Sequence, residues 1–407
     1  MSARRDGFAL TTTIVAMVVV GLLVTGGFFA ASQEHKITLS VQEADAALHA
    51  AEHGINTVLG RWTLGNLQQA VNTGPVTYPL RVGETTIAEA TVSVKALSGR
   101  LYFITSTGRV VRGGVATDAS KTLGMLVRTS QLQVASDRAV SAYGGVIVGG
   151  NSKVSGKDTF PGEWGEESCP EPAGTLAGIV ARDQDLIEEA GSGDIVGEPP
   201  VREDPTLTVE NMTTFGEWDY DELVARASKH FADGTTINDL EARHTTDGFC
   251  DESATPENNL NWGAPDTPSD PCHYYFPIIH ADGDLELNGQ AKGQGILLVD
   301  GNLSIRGGFE FSGMVIVRGR IETGGGESKI FGTITVLGQN SSGLITEISD
   351  CEDPNDTNCT YITGKPIVYL SQCAIRRVVE YNKETSRVLP ADERTWIDLT
   401  GVGVSAT

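Results

Sequence analysis

The sequence predicts an α+β protein in which a long N-terminal membrane-spanning helix packs on an antiparallel sheet, followed by a short β-helix or solenoid that a large acidic insertion interrupts. Three observations predict this class. No residue from Phe8 to Ala31 is charged, apolar residues alternate between Thr77 and Gln133, and a glycine-containing repeat recurs every 18 residues near the C-terminal end. The first is typical of a membrane helix, the second of a half-buried sheet and the third of stacked strands.

The composition excludes one class of partner and indicates an oxidising compartment. The chain has 407 residues, and 53 acidic against 30 basic residues give a formal charge of −23. This charge repels phosphate backbones, so we expect no binding of nucleic acid. All six cysteines follow residue 168 without a C-x-x-C pair. Their even number and wide spacing favour disulfides over zinc and therefore predict an exported body.

The apolar segment over residues 8–31 is long enough to cross a membrane. Its 24 residues span about 36 Å as a helix, against a hydrocarbon core of roughly 30 Å. Arg4 and Arg5 precede it and a very acidic chain follows, so the positive-inside rule places the first seven residues in the cytoplasm. The alternative is a secretory signal cleaved near Ala30-Ala31-Ser32, although the apolar region of such signals has only about 7 to 15 residues.

The helical pattern continues past the membrane length. Apolar residues recur at steps of three and four, the signature of one packing stripe. They are Ile37, Val41, Ala44, Leu48, Ala51, Ile55, Val58 and Trp62. The sequence therefore predicts one helix over residues 8–65, with its first half in lipid and its second half on a globular head.

Two motifs in this helix carry a family resemblance. Residues 4–10 (Arg-Arg-Asp-Gly-Phe-Ala-Leu) resemble a type IV prepilin leader, and residues 50–54 (Ala-Ala-Glu-His-Gly) resemble the A-A-E-x-G signature of PilX-type minor pilins. The resemblance implies that residues 1–7 are a leader, that a prepilin peptidase cuts after Gly7, and that the new N-terminal residue Phe8 is methylated. It also implies a single-pass bacterial inner-membrane precursor that enters an extracellular pilus, with other pilins, minor pilins and a tip adhesin as partners.

One position departs from the family. Counted from Phe8, the fifth residue is Thr12, where major pilins carry a glutamate. A carboxylate in lipid is costly unless it is paired, and in the family it is thought to meet the amine of a neighbouring subunit. Two interpretations stay open: variation without consequence, or a subunit placed first at the fibre tip.

The pattern of residues 77–133 predicts an antiparallel β region. Apolar residues alternate with polar ones, and glycines separate the runs, as in a sheet with hairpin turns. The segments 102–108 and 122–127 resemble the strand pair that follows the helix in PilX-type proteins. We expect this sheet to pack on the helix stripe, because each element alone would leave an apolar face in water.

The repeat predicts a solenoid in two parts. Residues 137–156 read as a first rung and residues 280–345 as the β-solenoid, with glycine at the same place in each copy. Short strands with glycine at the corners are typical of a β-solenoid. In such a fold inward Leu, Ile and Val stack in columns, and glycine supplies positive φ at the bends. Over about seventy residues this part resembles bactofilin-like polymer-forming solenoids.

Residues 157–276 read as an acidic insertion between the two parts. They contain 27 acidic against 6 basic residues, a local charge of −21. We predict helical patches at 178–189 and 219–231 within a loop-rich segment. Because the repeat looks complete without it, we expect the insertion to be dispensable for the solenoid and to carry the recognition surface. A solubilising surface loop is the alternative.

Residues 346–407 are predicted to form a disulfide-closed loop followed by a C-terminal segment. Cys351 and Cys359 are predicted to bridge, and oxygen-bearing side chains lie between them. Hard oxygen ligands suit calcium, so the acidic residues are candidate ligands, against the alternative of a plain stapled loop. The candidates are Asp350, Glu352, Asp353 and Asp356.

The sequence lacks the motifs of an enzyme. Glu286, Ser304 and Glu322 fall in one outward column with no paired acids at one level, and no nucleotide-binding motif occurs. We therefore expect a non-enzymatic minor pilin or pilus assembly subunit, without a cofactor apart from the calcium candidate, whose acidic body serves adhesion or tip assembly. The alternative is a membrane-tethered extracellular β-helix protein that binds or processes carbohydrate.

Overall fold

The computed structural model describes residues 8–60, 74–81, 86–98, 101–112, 114–130, 132–165, 169, 172–339, 351, 359–385, 388–391 and 396–401. The chain forms two compact units. The first unit comprises residues 1–129 and 388–407, and the second comprises residues 130–387. The second unit is thus inserted, along the chain, into the first. Together they confirm the predicted α+β class.

The first unit consists of one helix and one antiparallel sheet. Its elements are α1 (Phe8–Gly60), β1 (Val76–Arg81), β2 (Thr86–Ala96), β3 (Leu101–Arg112), β4 (Val115–Thr129), β23 (Val388–Pro390) and β24 (Trp396–Asp398). The strand order is β1-β2-β3-β4-β23, and β24 also pairs with β4. The C-terminal part of α1 packs on this sheet through a core that includes Ala51, Ile55, Ala90, Val92 and Ile104. The predicted contact between helix and sheet is therefore confirmed.

The predicted stripe is only partly buried. Ala51 and Ile55 are fully buried, whereas Ile37 and Val41 are 62% and 55% exposed. The sheet covers only about the last four turns of α1. The apolar periodicity therefore extends further along the helix than the part that the sheet buries. Residues 61–65 of the predicted helix lie outside the described residues.

The second unit is built from parallel strands that stack in two large sheets. We call this arrangement the stack. The first block of the chain supplies β5 (Arg138–Ala142), β6 (Val146–Gly150), β7 (Lys153–Ser155), β8 (Ala177–Ala181), β9 (Ile187–Gly191), β10 (Asp194–Val196) and β11 (Val201–Glu203). A segment over residues 204–228 follows, which we call the return segment. It contains the short helices α2 (Val209–Met212) and α3 (Tyr220–Val224).

The second block of the chain supplies the remaining strands and one longer helix. They are β12 (Lys229–Phe231), β13 (Thr235–Ile237), β14 (Ile278–Ala281), β15 (Leu285–Leu287), β16 (Lys292–Val299), β17 (Leu303–Arg306), β18 (Glu310–Val317), β19 (Ile321–Gly324), β20 (Lys329–Val336), β21 (Thr360–Ile362), β22 (Ile367–Leu370) and α4 (Gln372–Tyr381). The 18-residue repeat is confirmed by the register, in which Leu285 pairs with Leu303 and Leu303 with Ile321.

The chain enters the stack in its middle. One sheet runs β13-β15-β17-β19-β21-β6-β9, and in the other β20 pairs with β5, β5 with β8 and β8 with β11. Successive strands of the first block therefore lie progressively further from the middle of the stack, toward one end. The return segment then leads to the opposite end, where β12 starts the second block, and this block grows back until β20, β21 and β22 pair with β5, β6 and β7.

This topology corrects two predictions about residues 157–276. Six strands, β8 to β13, lie in that segment and pair in parallel within the stack, so the segment is not an insertion outside the stack. The predicted helical patch at 178–189 is wrong, because Ala177–Ala181 and Ile187–Gly191 are strands. The patch at 219–231 is half right, with a helix at Tyr220–Val224 and a strand at Lys229–Phe231.

Strands β16, β18 and β20 are buried on both sides. Their inward residues, such as Leu297, Val315 and Ile334, belong to the interior core of the stack. The outward residues Ile296 and Met314 belong to a second core. The return segment and α4 supply the other side of that second core, through Trp218, Tyr220, Leu223, Ala374 and Val378. Burial on both faces explains the unbroken apolar runs Ile296–Val299 in β16 and Met314–Val317 in β18.

Two sets of glycines shape the stack for different reasons. Gly295, Gly313 and Gly332 have φ of +127°, +147° and +146°, which L side chains rarely adopt. The repeat glycines Gly301 and Gly319 have no positive φ, but a Cβ on Gly301 would lie 2.6 Å from the backbone of Asp284. The prediction that repeat glycines supply positive φ therefore holds at the ends of the copies, where Gly289, Gly307 and Gly325 have φ of +81°, +93° and +86°. It fails at Gly301 and Gly319, which instead allow close approach between rungs.

Candidate functional site

The N-terminal half of α1 presents an uncharged and largely apolar surface. The large apolar side chains from Leu10 to Phe29 are 49% to 77% exposed. Among the described residues, α1 is the one helix whose length and hydropathy allow it to cross a membrane, and the most apolar window, with a mean hydropathy of 2.5, is not buried at all. In water this surface would be strongly unfavourable, so the helix requires an apolar environment outside the chain.

Two hydroxyls in this half are satisfied locally. Thr13 Oγ1 donates to the carbonyl of Leu10 at 3.1 Å, and Thr25 Oγ1 donates to the carbonyl of Gly21 at 2.7 Å. Because the hydroxyls bond to their own helix, they do not require water or a partner. A Cβ built on Gly21, Gly26 or Gly27 would meet nothing within 4 Å. The backbone at each of these three glycines, which face different sides of the helix, is therefore open to close approach by another helix.

The A-A-E-x-G segment lies close against the sheet. Ala50 and Ala51 are fully buried. A Cβ on Gly54 would lie 2.7 Å from both Ala90 Cβ and Val92 Cγ2, so no larger residue fits without movement. The intervening Glu52 faces outward, 3.3 Å from His49. In this chain the motif thus provides a flat surface for helix–sheet packing.

The processing residues are only partly described. Gly7 lies outside the described residues, and Phe8 is the first residue of α1. Thr12 lies one turn into the helix and its side chain is exposed. The prepilin cleavage and the methylation of Phe8 remain predictions.

All six cysteines form disulfides: Cys169 with Cys373, Cys250 with Cys272, and Cys351 with Cys359. The predicted oxidised state agrees with this arrangement. The calcium candidates Asp350, Glu352, Asp353 and Asp356 lie outside the described residues, so calcium binding there remains a prediction.

One cluster in the described residues has the composition of a metal site. His244 Nε2 lies 2.9 Å from Asp270 Oδ1, and the sulfur of Cys272 is nearby. Cys272 is bonded to Cys250, and a disulfide sulfur is not the thiolate that binds metals. The cluster therefore offers a metal only His244 and Asp270 as ligands. The hydrogen bond between these two residues joins neighbouring loops.

Two outward carboxylates of the stack, on the predicted column, have cationic neighbours. Glu286 Oε1 lies 3.5 Å from Arg306 Nε, and Glu322 Oε1 lies 2.6 Å from Arg320 Nη2. A glycosidase needs two carboxyl groups at a fixed separation across a bond. These two residues instead form ion pairs on the stack surface.

A charged cluster fastens the return segment to the stack. His280, 4% exposed, contacts Asp300 at 3.0 Å, and Arg318 contacts Asp300 at 3.3 Å and Asp221 at 2.8 Å. The Arg318 guanidinium also lies 4.1 Å from the centre of the Tyr220 ring. Burial alone would raise the pKa of Asp300, but the hydrogen bond from His280 and the other partners outweigh it, so the pKa is lowered. These contacts hold the return segment against the stack, so we assign the cluster a structural role.

Sequence reasoning missed two buried cations in the stack. Lys229 has no exposed surface, and its Nζ donates to the carbonyl of Ser253 at 3.0 Å. Burial lowers the pKa of Lys229 to about 8. Arg377, 2% exposed, lies 3.9 Å from the Trp164 ring and donates to His273 Nε2 at 3.1 Å. Nothing in the local sequence separates these residues from surface cations, because their burial depends on distant segments.

A cavity of about 170 Å³ lies between the return segment and the stack. Its lining mixes hydroxyl, amide and thioether groups, including Asn211, Met212, Met314, Thr333 and Thr335. Arg138 also lines it, but this guanidinium is bound to Asp137 at 2.7 Å. The cavity therefore presents no free charge from Arg138 to a ligand.

No protein-family model matches the sequence, and no curated protein matches it. Among solved structures, the competence-associated pilin ComZ from Thermus thermophilus is similar to this chain at 13% identity. The alignment covers 88% of this chain and 98% of that chain, with a TM-score of 0.24.

Proposed function

We propose that this chain is a non-enzymatic minor pilin or assembly subunit of a type IV pilus. The observation that carries the proposal is the division of α1 into two surfaces. Its N-terminal half is apolar, uncharged and exposed, whereas its C-terminal half is buried on an antiparallel sheet. This is the arrangement expected of a subunit that is held in a membrane by one half of a helix and is folded around the other half.

The exposed half of α1 suits two environments in succession. In a bilayer its apolar side chains replace water with lipid tails, and in a fibre they would pack on the same helices of neighbouring pilins. The locally bonded hydroxyls of Thr13 and Thr25 are compatible with both environments. We accordingly propose a single-pass inner-membrane precursor that is later built into the fibre, with other pilins as partners.

The finer parts of the proposal follow from the leader motif. A prepilin peptidase would cut after Gly7 and the new amine of Phe8 would be methylated. Thr12 cannot supply the negative charge that a glutamate would give to an incoming subunit. A place at the tip, next to a tip adhesin, would require no such contact on one side and is consistent with threonine at this position.

The competing proposal is a membrane-tethered β-helix protein that binds or processes carbohydrate. The stack itself favours this alternative, because it would display long columns of outward side chains. Two of its carboxylates, Glu286 and Glu322, are engaged with arginines, which argues against their use as a catalytic pair. The two proposals differ in what happens to the N-terminus.

The test is mass spectrometry of the N-terminus of the protein isolated from cells that assemble pili. We expect loss of the first seven residues and a methylated Phe8. We expect Gly7→Val to block cleavage, because the peptidase requires a residue without a side chain at this point. The matched control is Gly26→Val, where a Cβ meets nothing within 4 Å, and it should be processed normally. An intact leader in the unmodified protein supports the tethered alternative, and a loss of about thirty residues indicates a secretory signal.

A further inference from the structure

The two ends of the stack are closed in different ways. At the end formed by β12 and β13, Trp262 fills the interior and is fully buried. Its ring lies 5.8 Å from that of Phe231 and 6.3 Å from that of Phe311. The Cys250–Cys272 disulfide holds the segment that carries this tryptophan. This end has a cap, as the terminal rungs of repeat proteins require.

At the opposite end of the stack, the described residues include no aromatic cap over the last strands. We call β9, β10 and β11 together the open end. Each pairs on one side only within the described residues, β9 with β6, β10 with β7 and β11 with β8. The inward side chains Ile187 and Val201 remain partly exposed, and Ile195 is 5% exposed. The other edge of each strand is therefore available to pair with a further strand.

The open end also carries a concentrated negative charge. Residues 183–204 contain eight acidic residues and one basic residue, a net charge of −7. The basic residue, Arg202, is bound to Asp137, and Asp194 is bound to Lys153 at 3.0 Å. Six of the acidic residues are exposed and, among the described residues, have no lysine or arginine nitrogen within 4.0 Å. They are Asp183, Asp185, Glu188, Glu189, Glu198 and Glu203.

This charge selects the kind of occupant. A second copy of the chain would bring the same acidic end, or another part of a molecule with a net charge of −23, against it. Like charges at a shared interface are unfavourable, whereas opposite charges attract and orient a partner. An added strand gains main-chain hydrogen bonds and takes its specificity from alternate side chains.

We propose that the open end is a docking site for a lysine- or arginine-rich extended segment of another protein. The segment adds to the free edge of β9 as a further parallel strand, and its cations lie against Glu188, Glu203 and their neighbours. Its apolar residues cover Ile187 and Val201. This inference is independent of the proposed pilus function, because it rests on the stack alone.

The test uses a fluorescent nonapeptide of alternating lysine and valine as the probe, with a glutamate–valine nonapeptide for comparison. The full chain is purified in a zwitterionic detergent, and binding is measured by anisotropy. Hydrogen exchange is measured for the amides of residues 187–203. We expect the lysine peptide to bind and to slow exchange in β9, and we expect the glutamate peptide not to bind.

The variant pair separates a local site from diffuse attraction. Glu188→Lys with Glu203→Lys should weaken binding at least tenfold. Asp247→Lys with Glu257→Lys makes the same change in net charge at exposed positions away from the open end, and should leave binding within about threefold of wild type. Equal weakening by both pairs, binding without slower exchange in β9, or no binding at all would each overturn the proposal. So would protection of β9 by a second copy of the chain, detected as a concentration-dependent dimer.

Discussion

The sheet of the first unit and the larger sheet of the stack bury their strands in different ways. Strand β3 in the first unit alternates, with Tyr102 and Ile104 buried toward α1 and every second residue only partly buried. On the other face the hydroxyls of Ser93 and Thr105 meet at 2.6 Å. Strand β18 in the stack is buried from its second residue to its last. The sheet of the first unit thus depends on one covering element, whereas the stack depends on its interior and on the segments wrapped around it.

The strongest test of this comparison is removal of residues 157–276. Replacement by a short Gly/Ser linker would delete six strands, the return segment, the Trp262 cap, the whole Cys250–Cys272 disulfide and one partner of the Cys169–Cys373 disulfide. We expect the stack to lose cooperative unfolding entirely, measured by calorimetry and circular dichroism. As the control, two residues inserted after the exposed Asp247 should leave the unfolding transition unchanged. A folded deletion variant would restore the interpretation of this segment as a dispensable insertion.

A single glycine should distinguish the tight contacts of the stack from its open positions. Gly313 has a φ of +147° and its Cβ would press on the backbone of Gly295 and on Val378. We expect Gly313→Ala to lower the free energy of unfolding by about 3 kcal/mol or more. Gly324→Ala is the control, because a Cβ there meets nothing within 4 Å, and its effect should stay within about 0.5 kcal/mol. Chemical denaturation measures both, and similar effects would refute the role of close rung packing.

The first unit is tested by a matched pair on one helix. Ile55 is fully buried against the sheet, and Ile37 is 62% exposed. We expect Ile55→Ala to destabilise the first unit by about 2 to 4 kcal/mol and Ile37→Ala by less than about 0.5 kcal/mol. Hydrogen exchange in β2 and β3 reports on this unit separately from the stack. If both variants exchanged alike, the helix–sheet core would not be the main support of the sheet.

The smallest expected effect is a gain of stability in the stack. Lys229 is buried, and its pKa is lowered to about 8 from 10.5. Below pH 8 the folded protein carries the full cost of the buried charge. As the pH rises from about 8 to 10.5 the folded state releases this proton before the unfolded state does, so the contribution to stability increases.

Lys229→Met should therefore stabilise the protein at pH 7 by roughly 1 to 3 kcal/mol and should flatten the rise of stability between pH 8 and 10.5. Lys365→Met, at an exposed position, should do neither. Thermal unfolding across this pH range measures both variants. Destabilisation by Lys229→Met at pH 7 would show that the bond to the Ser253 carbonyl outweighs the cost of burial.

The sequence predicted the regular part of the fold and failed where regularity ended. Leu285, Leu303 and Ile321 repeat at a constant spacing, so their register could be predicted. The strand Ala177–Ala181 is a short apolar run, which periodicity alone cannot separate from a helix, and Ile187–Gly191 has acidic residues at its centre. Both strands are specified by pairing with residues 138–150, and such long-range pairing leaves no local signal.

The candidate sites divide in the same way. The apolar surface of α1 could be predicted because it depends on neighbouring residues in one helix. The open end, the buried Lys229 and the Trp262 cap could not, because each depends on which distant segments stack beside it. The charge of residues 157–276 was visible, but the placement of acidic residues 183–204 at one end of the stack required the topology.

The entry of the chain into the middle of the stack has a consequence for biogenesis. Synthesis delivers β5 early, yet one of its two neighbouring strands, β20, arrives almost two hundred residues later; the bond from Thr333 to the carbonyl of Arg138 spans 195 positions. Until then the nascent first block has a bare strand edge on the side that β20 will cover. Contacts of such separation form slowly, and exposed edges invite aggregation. A cell that makes this protein must therefore shield a half-built stack until its last rung has been synthesised.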